Sequence, residues 1–166
     1  FYIEKLQRSN FYKLDCGLNN KDLEKIYISS YLASMSGISA IDISWDLEVL
    51  NCVKESIKEA KFKIKFDFNP LIFVSLSSDF LFDNENAFKD IIISLSESNS
   101  DIDGIELHIE NTSQLLINKK LEIIDKYFTD KIISINLSRK NYSNAGIIEL
   151  IRLAKSKTNG NLMIEV

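Results

Sequence analysis

Glycine and proline are scarce in this chain, five and one among 166 residues, and no glycine stands in a GxGxxG or GxxxxGK arrangement. A phosphate cradle needs such a turn leading into a helix N-terminus, which argues against nucleotide binding. Only Asn144-Ala145-Gly146 offers a small anion cradle. Two cysteines, Cys16 and Cys52, are too few for a disulfide framework or for a four-ligand zinc or iron–sulfur site of the chain's own making, so both read as reduced structural thiols. No serine lies in a GxSxG context, neither cysteine has a recognisable local partner, and there is one histidine, His108. A basic excess is missing too. The net charge is −4 with a pI near 5.1, and the lysines from Lys54 to Lys65 read as a solvated helix end, so no nucleic-acid partner is expected. No apolar run approaches the roughly 20 residues of a membrane span. The segment FYIEKLQRSN lacks the apolar core and cleavage site of a signal peptide, so no transmembrane segment and a cytoplasmic location are expected.

What is present is a repeat of strand and helix signals. Hydrophobic residues make up 45% and charged residues 27% of the chain, the balance of a globular domain. Residues 1–10 read as an N-terminal extension and 11–166 as one domain. Phe11 to Cys16 reads as a strand. Asn19 or Asn20 is placed to cap a helix carrying Leu23, Ile26, Tyr27 and Tyr31, which Gly37 stops. Ile38 to Ser44 alternates apolar and polar residues, and a strand reached through a crossover helix runs parallel to the one before. Asp46 then caps a helix with the stripe Leu50, Val53, Ile57 and Ala60, and Leu71 to Leu76 is the third strand. Asn84 or Asp83 caps a helix with Phe88, Ile91, Ile92 and Leu95, followed by a strand at Ile102 to Ile109. Thr112 and Ser113 open a helix with Leu116, Ile123, Ile124 and Tyr127, and Ile132 to Leu137 is strand five. Ser143 opens a helix with Ile147, Ile148, Ile151 and Ala154, Asn159-Gly160 ends it, and Asn161 to Val166 is the sixth strand. Successive strands begin 27 to 32 residues apart, the period of βα units.

Open doubly wound sheets and (β/α)8 barrels share this pattern. Strands covered by helices on both faces read as continuous apolar runs, whereas these alternate, with Asp42 and Ser44 opposite Ile41 and Ile43, and Glu106 and His108 opposite Ile105 and Leu107. The expected fold is therefore α/β, a TIM-barrel-like (β/α)8 arrangement of parallel strands. Only six βα units are visible, so the barrel is expected to be incomplete, with segments missing.

In such a barrel the functional groups gather at the C-terminal ends of the strands. That rule collects Asp15, Asp42, Ser44, Ser75, Ser77, Glu106, His108, Asn136, Ser138, Arg139 and Glu165. Glu106, His108, Asp42 and Asp15 are the acid–base candidates, since a carboxylate two residues from an imidazole on one strand face can orient it. Ser44, Ser75, Asn136 and Glu165 are candidate ligand-binding groups. The same residues also read as a hydrogen-bonded interior without chemistry. Asp15, Asp42, Glu106, His108 and Glu165 have metal-binding chemistry, but no HxH or HExxH spacing supports it, so no metal ligand is assigned.

The segments FYKLDCGLNNKDLEKIYISSYLASMSGISAIDIS, PLIFVSLSSD, IDGIELHIEN and NLMIEV, in this order and spacing, resemble the LdpA (light-dependent period) family of cyanobacteria over 11–166. The abundance of Ile, Lys, Asn and Ser would suit such a source. The resemblance implies a redox-sensing regulatory protein, more scaffold than enzyme, that relays light and redox state to circadian-clock partners. It also implies 4Fe-4S iron–sulfur clusters held by a ferredoxin-like, cysteine-rich stretch after the third strand. Here Ser77-Ser78-Asp79 runs directly into Phe80-Leu81-Phe82, so either the clusters are lost or an insertion between residues 79 and 80 is missing. Cys16, in the family-like pattern Lys13 to Gly17, is not a cluster ligand, and no cofactor is assigned to the residues shown. A plastid and cyanobacterial barrel family of unknown function shares the first βαβ unit, including Gly17 to Asn20. The alternative to the regulatory reading is a barrel enzyme or small-molecule binder using the acid–base residues at the strand ends.

Overall fold

Alternating strand and helix signals become alternating strands and helices in the computed structural model, which describes residues 11–64, 69–76, 84–97, 101–109, 113–137, 143–158 and 162–165. The order is β1 (Lys13–Asp15), α1 (Leu23–Met35), β2 (Ala40–Ser44), α2 (Leu47–Ile64), β3 (Leu71–Leu76), α3 (Glu85–Glu97), β4 (Gly104–Ile109), α4 (Gln114–Tyr127), β5 (Ile132–Leu137), α5 (Asn144–Lys157) and β6 (Leu162–Glu165). The class is α/β. The chain divides between Ser75 and Leu76 into two compact units. The expected N-terminal extension, the helix end at Asn159-Gly160, the junction at 79–80 and Val166 lie outside the described residues.

In the first unit β1 pairs with β2 and β2 with β3, both in parallel, with Asp15 level with Asp42 and Ser44 level with Ser75. Helix α1 is capped by Asp22, whose Oδ1 accepts the Lys25 N–H at 3.2 Å, rather than by Asn19 or Asn20. Asn20 is engaged in the preceding loop, where its amide donates to the Cys16 carbonyl at 2.9 Å and its Oδ1 accepts the Asp22 N–H. Gly37, at φ +77°, ends the helix as expected. The Ile38 N–H reaches back to the Ala33 carbonyl and the Gly37 N–H to that of Ser34, both at 3.1 Å, the closing pattern that a left-handed residue permits. That bond removes Ile38 from the ladder, so β2 starts at Ala40.

The apolar face expected for α1 is only partly the one used. Ile26 is buried together with Ser30 and Ser34, Tyr27 and Tyr31 are half-buried, and Leu23 is exposed. The cause is a seam of small residues against α2. Ser30 donates to the Ile26 carbonyl and Ser34 to that of Ser30, each at 2.7 Å, and the hydroxyls of Ser30 and Ser56 hydrogen-bond each other at 2.5 Å. Hydroxyls satisfied within their own helix can be buried at little cost, and their small size lets the helices approach. Tyr27 also donates to Glu59 of α2. On α2 the expected stripe Leu50, Val53, Ile57 and Ala60 is buried, and Asp46 caps it by accepting the Glu48 N–H at 2.9 Å.

In the second unit β4 pairs with β5 and β5 with β6, again in parallel, so that His108, Asn136 and Glu165 form one row and Glu106, Ser134 and Met163 the row before it. Asn84, Ser113 and Ser143 cap their helices by accepting the N–H groups of Ala87, Leu116 and Gly146, while Asp83 and Thr112 lie outside the described residues. Helix α3 buries Phe88, Ile92 and Leu95. Helix α4 is rotated from the expected face: Ile117, Lys120, Leu121 and Ile124 are buried, and Leu116, Ile123 and Tyr127 flank them. The stripe Ile117, Leu121, Ile124 and Phe128 wins because it runs unbroken beyond the helix end, and it carries Lys120 inside, where its Nζ stands 4.0 Å from the centre of the Phe88 ring. On α5, Leu150 and Ala154 are buried, Ile147 and Ile151 half-buried, and Ile148 exposed.

All residues of β2 and β3 are buried, and of Glu106 and Ser134 no more than 1% is exposed. The polar faces are therefore interior, and the alternation separates polar contacts from apolar ones inside each unit.

Candidate functional site

Period-two alternation places Asp42 and Ser44 on one face of β2, beside Ser75 of β3. Asp42, 1% exposed, accepts the Ser75 hydroxyl on both oxygens, at 2.7 and 2.6 Å. A buried carboxylate needs such donors, since desolvation otherwise drives it to protonate. Ser44 donates to the Asn20 carbonyl at 3.3 Å, which ties β2 to the loop before α1. Asp15 is exposed and accepts the Gly17 N–H at 2.7 Å, so its carboxylate is committed to the turn where Gly17 adopts φ +90°.

That loop encloses a cavity of about 210 Å³ lined by Asp15, Cys16, Asn20, Lys25, Ile26 and Ser29 among others. Burial, reinforced by the charges of Asp42 and Asp15, pushes the Cys16 thiol up to about 12. Burial raises Cys52 as well, and its Sγ donates to the Leu23 carbonyl. Neither is a thiolate at neutral pH. Cluster iron is held by thiolates, usually four, so these two residues do not fit an iron–sulfur cluster.

In the second unit the dyad anticipated on β4 is formed. His108 Nε2 lies 2.8 Å from Glu106 Oε1, with His108 18% and Glu106 1% exposed. The Asn136 amide, from the next strand, donates to the same oxygen at 3.4 Å, and Ser134 donates to Glu165 Oε1 at 3.1 Å. A buried carboxylate thus orients a half-covered imidazole, the geometry by which an acid–base histidine is held. Ser77, Ser138 and Arg139 lie outside the described residues. The Asn144-Ala145-Gly146 cradle is committed to capping, because the Gly146 N–H donates to Ser143 Oγ. Sequence reasoning passed over Ser134 as a site residue, although its place two before Asn136 on β5 marks the same face. It also missed Lys120, whose lysine identity gives no local sign of burial.

Among the described residues, no helix is long and apolar enough to cross a membrane. Neither a known protein family nor a curated protein sequence matches the chain.

Proposed function

We propose that this chain is the α/β body of an LdpA-like regulatory protein, a scaffold in a redox-responsive relay to circadian-clock partners. The observation that carries the reading is that the polar strand residues are spent on one another: Ser75 on Asp42, His108 and Asn136 on Glu106, Ser134 on Glu165. Side chains so consumed hold strands in register, which is what a scaffold asks of them. The resemblance of the four strand-bearing segments to that family supports the relay, and the βα repeat with parallel pairing supports a (β/α)8 barrel completed by further units. Iron–sulfur clusters belong to this reading only through residues outside this chain. The test is intact mass with iron and acid-labile sulfide content of the native gene product, purified without oxygen. A mass well above 19.0 kDa with bound iron is expected; a mass of 19.0 kDa without iron sinks it.

One observation favours a second reading, a barrel enzyme or small-molecule binder. His108 keeps 18% of its surface exposed while Glu106 fixes it, as an acid–base group facing a ligand would be held. Asp42 and Asp15 are engaged elsewhere, so this role falls to Glu106 and His108. Thermal-shift screening of the wild type against His108→Ala is the test. A ligand that stabilises only the wild type supports the reading, and turnover falling by about 10²-fold in the variant would establish it. A screen with no difference between the two proteins removes it.

A further inference from the structure

We propose that Glu106, His108 and Asn136 form a site for one divalent first-row transition cation. Two atoms bound to the same ion at roughly 2.0–2.2 Å stand about 3.0 Å apart in octahedral and about 3.4 Å apart in tetrahedral coordination. His108 Nε2 and Glu106 Oε1 are separated by 2.8 Å, and the Asn136 amide lies 3.4 Å from that same oxygen. A half-turn of the Asn136 amide, whose two ends have nearly the same shape, presents its oxygen in place of its nitrogen. The three groups then offer one imidazole nitrogen and two oxygens.

The frame that holds them is rigid. Glu106 and His108 sit two apart on β4, and the parallel register sets Asn136 level with His108 on β5. Glu106 and the backbone neighbours Ile105 and Leu107 are fully buried, so the carboxylate has little freedom to leave. Glu165 stands level with Asn136 on β6, oriented by Ser134, and adds a second carboxylate to the same face. A buried carboxylate against the imidazole, with a second carboxylate two strands away on the same face, favours a dication over a neutral ligand. The donor set, one nitrogen with oxygens, suits zinc, manganese or iron(II) and is too poor in oxygen for calcium. On binding, the proton between Nε2 and Oε1 leaves to solvent or to Nδ1, and the Nε2 lone pair turns to the ion.

This inference holds whether or not the chain is a scaffold or an enzyme, and the iron and sulfide assay can fail without touching it. The test is calorimetric titration of the full chain with Zn²⁺ and, separately, with Mn²⁺, which thiols attract weakly. One equivalent is expected, weakened at least tenfold in His108→Ala and Asn136→Ala, with near-UV circular dichroism confirming the fold. Because the chain has a single histidine, its acylation by diethyl pyrocarbonate in the wild type gives a second readout that needs no variant. Bound Zn²⁺ should slow that reaction at least tenfold. Absence of stoichiometric binding, equal affinity in folded His108→Ala, loss of binding only in Cys16→Ser or Cys52→Ser, or an unchanged acylation rate overturns the proposal.

Discussion

Ser75 on β3 donates its one hydroxyl proton to both oxygens of Asp42 on β2, at 2.7 and 2.6 Å, and both residues are buried. Removing the hydroxyl leaves a buried charge short of a donor. Ser75→Ala is therefore expected to cost about 1–3 kcal/mol in urea unfolding. Asp42→Asn with Ser75→Ala should recover part of that loss in a double-mutant cycle, because the charge has gone too. Additive costs would mean that the two groups do not depend on each other.

Gly37 gives a cleaner backbone test. Its φ is +77° and a Cβ there would meet nothing within 4 Å, so the expected penalty is conformational strain alone. Gly37→Ala should cost roughly 1–2 kcal/mol, and Gly37→Asn less, since asparagine tolerates the left-handed region. Thermal unfolding of the two variants checks the order, and an alanine as stable as glycine would show that α1 can end otherwise.

Cys16 should be inert. A thiol raised from 9.0 to about 12 carries roughly 10³-fold less thiolate at pH 8, before any shielding. Alkylation by iodoacetamide, followed by peptide mass spectrometry, is expected to label Cys52 far ahead of Cys16. Equal rates would mean that the loop around residues 16–22 opens readily.

Three carboxylates titrate below their ordinary range because each accepts from a lysine: Asp22 from Lys25, Asp46 from Lys21 and Glu122 from Lys157. A carboxylate with a folded pKa below its unfolded one stabilises the fold above the unfolded value, and the gain disappears as pH falls through the folded value. Stability from these pairs should thus be complete at pH 7 and decline below about 4.5 for Glu122 and about 3.8 for the aspartates, the ordinary values quoted for these groups. Asp22 and Glu122 are exposed and Asp46 is half-buried with its lysine partner in solvent, so the effect should be small and shrink in 1 M salt. Urea midpoints across that range, with and without salt, measure it; a decline unaffected by salt would point to the buried carboxylates instead.

Local chemistry made much of the fold readable. Ser113 and Ser143 cap helices because their hydroxyls meet an N–H three residues on, and Asp46 meets one two residues on, contacts set by neighbours in the chain. The α2 stripe was legible for the same reason, as four apolar residues at helical spacing. Legibility stopped where a helix offered two plausible faces. On α1 the choice went to Ser30 because Ser56 of another helix met it, and on α4 it admitted Lys120 because Phe88 lay opposite.

The candidate site divides along the same line. The alternation of β4 by itself put Glu106 and His108 on one face, since a strand's period is a covalent property of the backbone. That Asn136 joins the same carboxylate oxygen, that Ser134 takes Glu165, and that Ser75 donates to Asp42 are facts of strand register, set between segments about thirty residues apart. No spacing within one segment encodes such a pairing, which is why the sequence showed no motif where the ladder brings Glu106, His108 and Asn136 together. Sequence by itself determined the succession of elements and the face each polar strand residue occupies. The tertiary structure decided which of those residues meet, because only the packed ladder brings distant donors within hydrogen-bond length and removes the water that would otherwise serve them.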